Sequence, residues 1–151
     1  MASKPSTEQR FFDCARKDLD FLVKDFGFAA TVKEGPLPSI VFKKEPLAIE
    51  IGWYKGEVDC NFNVLLENNV FRPYISRGFV LWEVILRVDP NAFVEKPPLP
   101  RWALSVEDAD CFLQYYAKLI QKFCSPILRG DLSLLESITW ERRKRDKENM
   151  P

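Results

Sequence analysis

Glu50 and Asp59 are the residues in this sequence whose type and spacing most invite a chemical reading. They lie in two successive segments of alternating hydropathy, and Glu57, Asn61 and Asn63 fall on the same side of that alternation. Two carboxylates held near each other can work as an acid–base pair. The same residues, flanked by Trp53, Tyr54 and Tyr74, can instead dock into a basic groove, as an inhibitor does when it fills a nuclease's nucleic-acid site. A sheet with one polar face presents such side chains to water in any case, so a solvated surface is the default. A carboxylate pair on an open sheet also lacks the cleft that shelters a reaction from water. Binding is therefore the leading functional reading of these residues, and metal or glycosidase-like chemistry comes after it.

Other chemistries are poorly supplied. The chain has no histidine, which removes the commonest general base, the usual zinc ligand and the histidine-based triads. Cysteines stand at Cys14, Cys60, Cys111 and Cys124, each within an apolar-periodic segment and none spaced C-x-x-C. They read as buried reduced thiols, and neither a zinc knuckle nor a disulfide scaffold is expected. The six glycines are too scattered for a phosphate-cradling loop, and no G-x-S-x-G elbow is present. No catalytic residue, metal or cofactor is assigned. The run Arg142, Arg143, Lys144, Arg145 is the basic cluster, and it offers phosphate contacts as an alternative function. Glu141, Asp146 and Glu148 interleave with it, which suits a solvated helix end, and Trp140 is its one aromatic platform.

The elements that must position these residues follow from composition and period. The chain has 151 residues, 46% hydrophobic and 29% charged, too apolar for disorder and the right size for one core. Its 22 basic and 22 acidic residues balance, against a protein that coats nucleic acid or anionic membrane with its whole surface. The polar start shows no signal peptide, and no apolar run approaches a membrane span, so a soluble, cytoplasmic protein is expected. Phe11, Ala15, Leu19, Leu22, Val23 and Phe26 form one helical stripe, capped by Ser6 or Thr7 and ended by Gly27. Four strands follow: 28–34, 39–44, 47–54 and 57–65, the last two joined by a Lys55-Gly56 turn.

Leu47, Ile49, Ile51 and Trp53 share one face of the third strand, and Val58, Cys60, Phe62 and Val64 one face of the fourth. One apolar and one polar face describe an antiparallel sheet covered on one side. Residues 67–69 and 72–73 read as a loop, and 79–88 as a short helix that Ser76 can cap. Pro97-Pro98-Leu99-Pro100 is a stiff connector. Ser105 caps a helix carrying Ala109, Phe112, Leu113, Tyr116, Ala117, Ile120 and Phe123, and a last helix follows Asp131. The expectation is an α+β fold, one antiparallel sheet of about four strands with helices packed on one face, in the order α-β-β-β-β-(α)-α-α. A single domain over 7–140 and a frayed, charged tail over 141–151 complete it.

The segments Phe26-Gly27-Phe28, Ile40-Val41-Phe42, Ile49-Glu50-Ile51, Tyr115-Tyr116-Ala117 and Leu128-Arg129-Gly130-Asp131 occur in this order across most of 7–140. In that, the chain resembles a loose group of small bacterial α+β proteins, some of them regarded as immunity proteins of polymorphic toxin systems. The resemblance implies a stand-alone binding protein that blocks a toxin's active site, and it supplies no catalytic residue. The partner-binding set is then Glu50, Glu57, Asp59, Asn61, Asn63, Trp53 and Tyr54. A nucleic-acid accessory protein acting through Arg142–Arg145 and a small hydrolase using surface carboxylates are the alternatives.

Overall fold

A computed structural model describes residues 4–64, 78–95 and 97–149. The loop expected at 67–69 and 72–73, the flanking Tyr74 and the candidate cap Ser76 lie outside the described residues.

The first helix, α1, spans Thr7–Asp18, and the Ser6 hydroxyl accepts a hydrogen bond from the Gln9 backbone N–H at 3.1 Å, satisfying one of the donors a helix start leaves open. The stripe expected to run unbroken to Phe26 bends at Leu19, and a short α2 follows over Asp20–Lys24. The bend leaves Leu19 and Leu22 both fully buried. Gly27, at φ +78°, then closes the helix: its N–H reaches the Val23 carbonyl at 3.2 Å and the Phe28 N–H reaches that of Leu22 at 2.9 Å.

Five antiparallel strands form one open sheet in chain order: β1 (Ala29–Lys33), β2 (Ser39–Lys44), β3 (Leu47–Tyr54), β4 (Glu57–Val64) and β5 (Phe79–Val80). Lys55 (φ +49°) and Gly56 (φ +80°) both take left-handed backbone, the turn that matches the twist of a tight hairpin. Register alternation puts Ile40, Phe42, Ile49, Ile51, Cys60 and Phe62 on one face, all of them buried. The sheet has one strand more than the expected four, because 79–88 divides. Phe79 pairs opposite Phe62 and is fully buried, and the helix α3 starts only at Leu81, running to Val88. Two residues of extended backbone are too few for an alternation to register.

The helices α3, α4 (Val106–Phe123), α5 (Ser125–Leu128) and α6 (Ser133–Glu148) share one core with the sheet's apolar face and α1, including Leu81, Ile85, Leu113, Ile120, Leu128 and Leu135. Tyr116 ties the layers together, donating from its hydroxyl to the Val58 carbonyl at 2.6 Å in a buried site. The expected boundary between residues 140 and 141 falls inside α6, which runs from Ser133 to Glu148. Anchors across to α3 account for this: Glu141 pairs with Arg87 and Arg142 with Glu83. No described helix is long and apolar enough to cross a membrane.

Candidate functional site

The polar face of β3 and β4 gathers most of the residues singled out from the sequence. Glu50 sits between Val41 on β2 and Asn61 on β4, Asp59 stands opposite Gly52, Asn63 opposite Ala48, and Glu57 opposite Tyr54. Glu50 and Asp59 are therefore diagonal neighbours, for which side-chain origins lie about 7–8 Å apart. Asp59 and Glu57 are exposed, while Glu50, Asn61 and Asn63 are half-buried. Several acids elsewhere are paired with cations, as Glu107 is with Arg10 at 2.8 Å and Asp20 with Lys24 at 2.7 Å. Among the described residues, Glu50, Glu57 and Asp59 take part in no ion pair and donate to or accept from no described side chain. A row of carboxylates left without internal cations is open to the cations of something else.

Trp53 does not join this face. It projects to the apolar side, where its ring lies 5.3 Å from that of Phe11 and its indole N–H donates to the Ala103 carbonyl at 2.8 Å. Tyr54 does join, at the hairpin tip, half-exposed with the Lys55 ammonium 5.3 Å from its ring centre.

Sequence reasoning missed the tip's other contributors. The Ala103 N–H donates to the Gly56 carbonyl at 2.7 Å, fastening the segment after the prolines to the turn. Ala103 is buried beneath it, while Trp102 and Leu104 point outward, 46% and 80% exposed. A Cβ at position 56 would meet the Trp102 Cβ at 3.4 Å, an ordinary packing contact, so it is the φ of +80° that calls for glycine at this turn. The out-in-out order of Trp102, Ala103 and Leu104 was the available signal, masked by its place in a proline-rich connector.

The clefts formed by described residues lie on the helical side. One of about 580 Å³ is lined by Trp82, Leu86, Phe93, Leu99, Arg101 and Tyr115, and another of about 610 Å³ by Val80, Trp82, Leu86, Ile138 and Arg145. Neither includes Glu50 or Asp59; the second is also lined by Glu83 and Glu141, which are ion-paired with Arg142 and Arg87. Among the described residues no group of three or more cysteines and carboxylates is placed to hold a metal.

The cysteines are unpaired, and Cys60 and Cys124 are buried. Burial pushes both thiols up, that of Cys124 to about 12, which makes them poor nucleophiles. Cys111 is exposed, against the expectation of four core thiols, because it falls on the outer side of α4.

The basic run is divided. Arg142 turns inward, donating to the Gly78 carbonyl at 3.0 Å and to Glu83, with its guanidinium 4.7 Å from the centre of the Phe79 ring. Arg143 lies over Trp140 at 5.1 Å, and Lys144 and Arg145 are exposed. A phosphate-binding stripe would have to do without Arg142.

No protein-family model, curated protein or solved structure matches this chain.

Proposed function

We propose that this chain is a non-enzymatic protein-binding module whose β3–β4 polar face enters a basic groove on a partner protein. The observation that carries the reading is the set of carboxylates, Glu50, Glu57 and Asp59, that have no cation among the described residues. Asn61 and Asn63 supply neutral hydrogen-bonding groups on the same face, and Tyr54 an aromatic anchor at its end. The likeness to immunity proteins noted from the sequence makes a toxin's active site the natural partner and the cytoplasm the natural place of action.

Acidic rim groups act chiefly on encounter, steering a basic partner and making association sensitive to salt. The double reversal Glu50→Lys with Asp59→Lys should therefore slow association with a toxin encoded by a neighbouring gene by roughly tenfold or more at low salt, and flatten its salt dependence. Surface plasmon resonance over a salt series reads this directly. An association rate indifferent to the reversal removes the acidic face from the proposal.

A further inference from the structure

Where α1 meets α4, two carboxyl groups from distant parts of the sequence, Asp18 and Asp110, lie against the same Lys17 ammonium. The Asp18 side chain is 8% exposed and that of Asp110 19%. One oxygen of each acid is served. Lys17 Nζ lies 4.0 Å from Asp18 Oδ1 and 3.9 Å from Asp110 Oδ2, and Gln114 Nε2 donates to Asp110 Oδ2 at 2.9 Å. The other two, Asp18 Oδ2 and Asp110 Oδ1, are buried and have no hydrogen-bond partner in this arrangement when both acids are ionised. Ionised carboxylate oxygens only accept, so neither acid can then satisfy the other, and both charges repel in a place water hardly reaches. A single proton on one acid turns it into a donor and removes both penalties.

The surrounding charges agree with one proton. Two carboxylates against the Lys17 ammonium leave one negative charge over, and one bound proton cancels it. Cys14, one turn before Asp18, is held neutral: burial and the Asp110 charge push its thiol up, with Lys17 and Arg10 pulling the other way. Arg10 is itself engaged on the surface with Glu107 at 2.8 Å.

We propose that Asp18 and Asp110 form a proton-binding site, one proton shared between two carboxyls, whose occupancy sets how firmly α1 is clamped to α4. Burial above all, then the hydrogen bond to Asp110 and that residue's charge, push Asp18 up to about 7, with Lys17 opposing. The site is filled below neutrality and empties above it. Its effect extends along α4, which carries Tyr116 and its hydrogen bond to Val58 on the strand of the acidic face. The inference does not depend on the partner proposed above.

Carbon-13 NMR of side-chain carboxyls in the full-length protein, titrated from about pH 4 to about pH 9, reads the site directly. A step near neutrality at the Asp18 carboxyl is the expected result. Asp18→Asn should abolish that step, since the amide donates permanently, and Asp110→Asn should do the same from the other side. Native-state hydrogen exchange supplies the structural readout. After correction for intrinsic rates, protection along α1 and α4 should fall several-fold, up to about tenfold, from about pH 6 to about pH 8 in the wild type and hold steady in Asp18→Asn. If the Asp18 carboxyl completes its titration in the ordinary aspartate range, the proposal is overturned; the wild-type titration decides this even if a variant fails to fold.

Discussion

Two pairs of neighbouring acids, Glu50 with Asp59 and Asp18 with Asp110, differ in almost every physical respect. Glu50 and Asp59 are held diagonally by strand register, with Asn61 opposite the first and Gly52, which carries no side chain, opposite the second. Asp18 and Asp110 are brought together by two helices, each with one oxygen buried and unpartnered. Register spaces the first pair so that each acid keeps its own surroundings, whereas helix packing removes water from the second and leaves a proton as the missing component. A carboxylate's role here is thus set by the element that delivers it: strands display acids to partners, and the helix crossing turns them into a titrating unit.

The largest disturbance of this contrast removes what both regions rest on. Phe62 is fully buried under β4, facing Ile49 and Phe79 across the sheet. Phe62→Ala should cost about 3–5 kcal/mol in urea-induced unfolding. A cost below about 1 kcal/mol would mean that sheet and helices do not share one core.

The contrast itself is sharpened next by pH. Because folding raises the Asp18 carboxyl from its ordinary 3.8 to about 7, the folded state binds a proton that the unfolded state has already released. The associated stability is full at acid pH and is lost as pH climbs through neutrality. The wild type should accordingly be more stable at about pH 5 than at about pH 8, by about 2 kcal/mol after allowance for partial access of water. Asp18→Asn should recover that loss at the higher pH and flatten the profile.

A smaller effect transposes the comparison to cations. Arg142, tied to Gly78, Glu83 and the Phe79 ring, should cost about 1–2 kcal/mol on truncation to alanine. Exposed Lys144, two residues on, should cost under about 0.5 kcal/mol. Equal losses would show that α6 is not anchored through Arg142. Smallest of all, Asp59→Asn should shift the thermal midpoint hardly at all, within about 0.5 kcal/mol, because the carboxylate answers to solvent and partner.

What the sequence disclosed was mostly local. The Ser6 cap, the Gly27 stop, the Lys55-Gly56 turn and the alternation of Ile49, Ile51, Phe62 and Val64 depend on residues a few positions apart, and each is found in the structure. The α+β class and the one-sided sheet follow from them. Features decided by distant segments were out of reach. β5 exists because Phe79 meets Phe62, α6 is tied to α3 past residue 140 by Arg87 and Glu83, and Trp53, on the apolar face its alternation assigns, finds distant partners in Ala103 and Phe11. Asp18 and Asp110 show the same limit. Each lies on the edge of its helix's apolar stripe, at the spacing Phe11, Ala15, Asp18, Leu22 and Val106, Ala109 or Asp110, Leu113, Ala117, where a lone acid reads as an ordinary boundary residue. Only the crossing reveals that two such boundaries coincide.

The backbone bond from Ala103 to Gly56 makes a closed circuit of chain, which departs from the hairpin tip through β4 and comes back to it through the prolines just ahead of α4. A hairpin tip is ordinarily where a foreign peptide can be spliced without consequence. Here the splice would unfasten the lead-in to α4, and a partner gripping Tyr54 and Trp102 would hold both ends of that circuit in one hand.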